Sequence, residues 1–191
     1  MHKLAAAFAL LATPALSAGL EIDVAGTHTQ GTITVDLLED VAPNHVAQIT
    51  ALAEQGFYDN VYFHRVIDGF MAQTGDGQFA KDTDDFARAA QSGAARRYGT
   101  GGSDLPDIAA EFSDLPFERG VVGMARSQSP DSANSQFFIM FDEGAFLNGQ
   151  YTVVGRVTDG LDVLDGIKRG DASTFQVTGE PDVMTAVRVT E

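Results

Sequence analysis

At 191 residues, 44% apolar and 20% charged, the chain has enough material for one domain with a substantial core and is too apolar to be disordered. With 27 acidic against 12 basic residues its formal charge is −15, which argues against nucleic acid or an anionic membrane as partner. It has no cysteine, which excludes disulfides and thiol chemistry together.

Met1-His2-Lys3 is a short basic start, and Leu4 to Leu16 is an apolar run followed by small residues, the pattern of a secretory signal peptide. Cleavage after Ser17 or after Ala18 each fits the small-residue rule. The run is too short to span a bilayer, and no other segment approaches ~20 apolar residues. Residues 1–18 are therefore expected to leave and residues 19–191 to form a single exported domain, periplasmic or secreted, with no membrane span. Losing Lys3 leaves 27 acidic against 11 basic residues and a charge of −16.

Leu20 to Val24 and Gly31 to Leu38 are short β-prone runs, with Ile33, Val35 and Leu37 alternating against polar neighbours, and predict an opening hairpin. Ala42-Pro43-Asn44 starts a helix whose apolar face is Val46, Ile49, Leu52 and Ala53, ending at Gly56. Val61 to Val66 and Phe70 to Gln73 read as two strands joined by a tight turn at Asp68-Gly69. The polar segment Gly77 to Ser103 is too long for a plain turn and suggests a helix of its own. Asp82, Asp84 and Asp85 would lie at its start, Phe86, Ala89 and Ala90 on one face and Gly93 at its end. Val121 to Ala125, Gln136 to Met140 and Thr152 to Val157 are further strands, Gly160 to Lys168 is a second amphipathic helix, and Val183 to Val189 is a closing strand. The tally is about eight strands and two principal helices without strand-helix alternation, so the fold class is mainly β, a closed eight-stranded antiparallel barrel capped by two α-helices.

Chemistry concentrates between Phe63 and Asp76. Arg65 cannot lose its proton and shares a strand pair with Phe63, Phe70, Met71 and the amide of Gln73, a set that suits an apolar ligand carrying one polar bond. The ordinary alternative is core packing with Arg65 reaching to water. His64, the next residue on the strand, points to the other face and reads as a hydrogen-bonded structural histidine. The four histidines lack metal spacing, no Gly-x-Ser-x-Gly elbow is present, and Gly75-Asp76-Gly77-Gln78-Phe79-Ala80 meets the loose dinucleotide pattern without the helix it needs. Neither metal nor cofactor is expected.

Phe63-His64-Arg65-Val66-Ile67-x-Gly-Phe70-Met71-x-Gln73-x-Gly-Asp76 resembles the signature of the cyclophilin-type peptidyl-prolyl isomerases. Further matches follow in order: Tyr98 to Gly102, Glu111-Phe112, Gly123 to Arg126, Ser135 to Ile139, Phe146 to Gly149 and Val154 to Val157. The resemblance implies a cyclophilin-like barrel whose active site lies on its outer face. Carried residue by residue, it implies a catalytic Arg65, a proline-ring pocket of Phe70, Met71, Phe138 and Leu147, and polar substrate contacts from Gln73 and Gln136. Ala125 and Arg126 match the segment that pairs with an extended peptide, mainly through backbone groups.

Phe146 stands where many members carry tryptophan, so cyclosporin-type inhibitors are expected to bind weakly, and Tyr151 stands at a common histidine position. Ser127 to Asn134 differs in length from the common eukaryotic form, and Gly77 to Tyr98 is longer than in short members. The expected function is a monomeric isomerase that turns X-Pro bonds in proline-containing peptides and unfolded exported proteins. A non-catalytic proline-peptide binding module or chaperone, separable by saturable binding without rate enhancement, is the competing reading. A barrel carrying a small apolar ligand is disfavoured, because eight strands can be filled by their own side chains.

Overall fold

The computed structural model of the protein describes residues 18–81, 93–174 and 176–191. The expected signal peptide, apart from Ala18, and the helix expected around Asp82, Asp84, Asp85, Phe86, Ala89 and Ala90 lie outside them.

β1 (Gly19–Ala25) and β2 (Gln30–Leu37) form the opening hairpin, with Leu20, Ile22, Val24, Ile33, Val35 and Leu37 all buried on one face. That is the period-2 alternation the sequence carries. α1 (Pro43–Glu54) places Pro43 in the first turn, where its missing N–H would have had no helical partner, and buries Val46, Ile49, Leu52 and Ala53.

No side chain of its own caps α1. Glu111, 67 residues beyond Asn44, does so instead, accepting the backbone N–H groups of Asn44 and His45 at 3.1 Å each, Asn44 Nδ2 at 2.7 Å and His45 Nδ1 at 2.6 Å. These are the orphan donors at the positive end of a helix, where a carboxylate is favoured. Burial works against ionisation of Glu111, but the hydrogen bonds from His45 and Asn44 outweigh it and hold its pKa below the ordinary carboxylate value. Glu111→Gln is expected to cost about 1–2 kcal/mol near neutral pH. Since the folded pKa is depressed, the contribution is present above the unfolded pKa and lost as pH falls through the folded one. The gap in melting temperature between wild type and variant should therefore narrow below about pH 4.5, and a gap that stays constant with pH would show that ionised Glu111 does not hold the helix.

β3 (Val61–Tyr62), β4 (Arg65–Ile67), β5 (Met71–Thr74), β6 (Val121–Met124), β7 (Phe137–Met140), β8 (Val153–Asp159) and β9 (Val183–Thr190) complete one antiparallel sheet in the order β3-β9-β1-β2-β8-β6-β7-β5-β4. α2 (Leu161–Gly166) packs against β2, and α1 against β9. α2 is shorter than the Gly160 to Lys168 expected, because Ile167 turns extended and the Lys168 N–H is captured by the buried Asp182 carboxylate at 2.7 Å. No helix among the described residues is long and apolar enough to cross a membrane.

The closed eight-stranded barrel is corrected: among the described residues the sheet has nine strands, curls into a half-barrel, and is open between β3 and β4. Val61 to Val66, expected as one strand, is broken at Phe63-His64. There, successive N–H groups turn to different partners: Tyr62 to the Ala80 carbonyl, Phe63 to that of Asp182 and His64 to that of Gln73. The chain thus makes a corner, and its two sides become the two end strands. The segment beyond β4 covers its outer edge, with Gly170 N–H donating to the Val66 carbonyl and Val177 N–H to that of His64.

Alternation along the strands divides the apolar residues between two faces. Val66, Ala72, Val122, Phe137, Ile139 and Val154 point into the main core, while Met71, Val121, Phe138, Met140 and Val153 form a second cluster on the outer face with Phe117 and Leu147. The candidate site is built on that second cluster.

Candidate active site

Asp68-Gly69 makes the turn between β4 and β5, closed by a Phe70 N–H bond to the Ile67 carbonyl, with Gly69 at φ +66° where a side chain would be strained. The turn fixes the register that sets Arg65 opposite Gln73 and Ile67 opposite Met71. β7 lies on the other side of β5 and sets Phe138 opposite Gln73.

Arg65, Phe70, Met71, Gln73, Ala125, Arg126, Phe138, Phe146, Leu147 and Tyr151 line one outer-face cavity of about 390 Å³. These are ten of the eleven residues carried over from the family pattern. The eleventh, Gln136, lies on the wall of an adjoining cavity of about 580 Å³, which shares Gln73, Ala125 and Arg126 with the first. Gln73 Nε2 donates to Gln136 Oε1 at 2.9 Å, so the two glutamines join the cavities.

The floor is aromatic and buried. Phe138 is buried, stacks on Phe117 at 5.7 Å between centroids and meets Tyr151 edge-on at 5.9 Å. Phe146 is 65% exposed and leans over Phe70 at 5.2 Å, forming a rim. Arg126 does not point freely into the groove: its guanidinium donates to the Gln150 and Ser127 carbonyls and lies 4.3 Å from the Tyr151 ring centroid, bracing that wall.

Phe117 was not legible as a site residue. Gly123, across the ladder from Phe138, makes room for the stack: a Cβ there would come within 2.5 Å of Phe117 and 2.6 Å of Phe138. Gly123→Ala is expected to cost about 1–3 kcal/mol by overpacking. With Phe138 displaced into the cavity, peptide affinity should fall by about tenfold. An NMR titration with a proline peptide, run beside a thermal melt, checks both, and unaltered affinity in the destabilised variant would separate the floor from the site.

Arg65 is half-buried, and its Nη1 donates to Gln73 Oε1 at 3.3 Å. Burial lowers its pKa from the ordinary arginine value, partly opposed by Tyr151, and it stays cationic at neutral pH. His64 is buried. Its two ring nitrogens, expected to be hydrogen bonded, have no partner within hydrogen-bond geometry among the described residues.

The structure thus gathers a permanent cation, an apolar niche and two hydrogen-bonded amides along one open groove. A family model described as cyclophilin type peptidyl-prolyl cis-trans isomerase matches residues 21–189. A Brucella suis protein named "Probable peptidyl-prolyl cis-trans isomerase" is 51% identical over 182 residues, covering 93% of this chain and 89% of that protein. A Helicobacter pylori peptidyl-prolyl cis-trans isomerase is 37% identical over 147 residues, 74% of this chain and 78% of its own. Among solved structures, the cyclophilin AquaCyp293 from Hirschia baltica has a TM-score of 0.67 at 27% identity, covering 88% of this chain and 72% of that one. A Cryptosporidium parvum cyclophilin-type isomerase, solved in the presence of the dipeptide Ala-Pro, has a TM-score of 0.70 at 25% identity, covering 91% and 99%. The chain belongs to the cyclophilin-type peptidyl-prolyl cis-trans isomerases, and it is an enzyme of that class.

Proposed function

We propose that this isomerase accelerates rotation about X-Pro bonds by offering Arg65 to the proline nitrogen at mid-rotation, and that its clients are proteins exported alongside it. An amide resists rotation by ~18–20 kcal/mol because resonance gives the C–N bond double-bond character. At the twisted transition state that resonance is lost, and the nitrogen becomes pyramidal and exposes a lone pair the ground state lacks. A donor aimed there stabilises the transition state alone.

The observation that carries this reading is the half-buried Arg65 guanidinium on the wall of the cavity floored by Met71, Phe138 and Leu147. Phe70, Met71, Phe138 and Leu147 hold the ring, Phe146 and Tyr151 wall the groove, and Gln73 and Gln136 bind substrate backbone. The Ala125 N–H is already given to the Gln136 carbonyl at 2.9 Å, so a peptide strand pairs with backbone groups beyond it, towards Arg126. The rotation moves no proton and requires neither nucleophile nor metal. Phe146 lacks an indole N–H, which supports weak cyclosporin binding. The basic start and apolar run of residues 1–16, followed by Ser17 and Ala18, support cleavage there and residence in the periplasm or outside the cell.

Magnetisation-exchange NMR on an Ala-Pro peptide tests the reading. Uncatalysed exchange takes tens to hundreds of seconds, and adding the protein should bring cis and trans signals into exchange within about a second. Saturable shifts without exchange would instead select a binding module.

A further inference from the structure

The proposed mechanism rests on where the Arg65 guanidinium points, and a chain of hydrogen bonds runs from it away from the cavity. Arg65 Nη1 donates to Gln73 Oε1 at 3.3 Å, Gln73 Nε2 to Gln136 Oε1 at 2.9 Å, and Gln136 Nε2 to the Gly101 carbonyl at 2.8 Å. An arginine can only donate and a carbonyl can only accept, so the two ends fix the sense of both amides between them. Reversing either glutamine would set donor against donor.

The far end of the relay is held by a buried charge. Asp76 is fully buried, and its carboxylate accepts three backbone N–H groups: Phe79 at 2.9 Å, Gly99 at 2.7 Å and Gly101 at 3.2 Å. A carboxylate so satisfied is a rigid anchor, because turning it would strand buried donors. Packing agrees with the hydrogen bonds. A Cβ on Gly101 would fall 2.2 Å from Asp76 Oδ1, and one on Gly75 would fall 2.9 Å from Gln136 Cα, so only glycines let the carboxylate and the relay approach this closely.

We infer that Asp76 is a positioning residue for Arg65, acting through Gly101, Gln136 and Gln73 to hold the guanidinium towards the cavity. It touches no substrate. This rests on the reading of Arg65 given above.

A double-mutant cycle on the full chain tests it, with isomerisation measured by exchange NMR and peptide affinity by titration. Asp76→Asn keeps the shape but turns one acceptor oxygen into a donor. It should lower kcat/KM by about tenfold while changing peptide affinity by less than about threefold. In an Arg65→Lys background, where the fork that meets Gln73 is gone, the same substitution should change the rate by less than about twofold. An equal loss in both backgrounds would mean that Asp76 serves stability alone, and the inference falls while the role of Arg65 stands. Wild-type rates in Arg65→Lys itself would overturn both. Should Asp76→Asn not fold at the assay temperature, the cycle is run with Gln136→Leu, which cuts the relay at the groove wall. Coupling to Arg65 there sustains the relay, and additivity overturns it.

Discussion

Arg65→Ala is expected to slow X-Pro isomerisation by about 10² to 10³-fold, the range found when one preorganised donor to a transition state is removed. Fold stability should change by no more than about 1 kcal/mol, because the side chain lies on the outer face and fills no part of the main core. Two features make the expected effect this large. The guanidinium is half desolvated, so its field on the proline nitrogen is less screened than in water. It is also already oriented by Gln73, so little reorganisation is needed as the bond twists. Peptide affinity should fall far less than the rate, since Phe70, Met71, Phe138 and Leu147 still hold the ring. Exchange NMR at saturating peptide checks the split, and an unchanged rate in the folded variant would remove Arg65 from the mechanism.

How much of this was legible in the chain depends on the range of the interaction. Ile33, Val35 and Leu37 alternate with polar neighbours, so the inward face of β2 follows from local pattern alone. The Asp68-Gly69 turn and the Pro43 start of α1 are likewise written in a few adjacent residues. The run from Val61 to Val66 reads as one strand because nothing in its composition marks the corner. The corner is set by carbonyls of Gln73, Ala80 and Asp182, the last more than a hundred residues away. Opening of the barrel at β3 and β4 follows from the same corner.

The site shows the same divide. Arg65 and its apolar neighbours stood out because a permanent cation in an aromatic strand pair is chemically conspicuous. Gln136 was found only through the family pattern, and the anchoring of its amide by the Gly101 carbonyl was not legible at all, since a backbone carbonyl has no letter in the sequence. Glu111 falls within a family motif, but its task as remote cap of α1 depends on chain folding that brings it to Asn44 and His45. For Asp76 the one local signal was a carboxylate between two glycines, Gly75 and Gly77, which marks close backbone approach without naming what approaches.

The buried His64 ring carries the second large effect, a loss of stability on mild acidification. Burial pushes its pKa down to about 4, outweighing the attraction of Asp76 and the help of the Tyr62 carbonyl and Gln136, while Arg65 adds to the lowering. In the unfolded chain the same imidazole takes a proton near pH 6.5. Between those values the unfolded state binds more protons than the folded one, so stability rises with pH across the window and falls as pH is lowered through it. At about 1.4 kcal/mol for each pH unit, the histidine should cost about 2 kcal/mol by pH 5 and about 3 kcal/mol by pH 4 relative to pH 7. Most carboxylates titrate lower, so the loss between pH 6.5 and 5 isolates this ring from them. His64→Gln keeps a polar side chain of similar size that takes no proton, and its denaturant midpoint should be flatter over that interval than that of the wild type. A protonated ring would be repelled by the Arg65 cation on the neighbouring position, so acidification should also disturb the guanidinium. Equal slopes for wild type and His64→Gln between pH 7 and 5 would show that the ring finds a proton-accepting partner on folding and does not remain neutral.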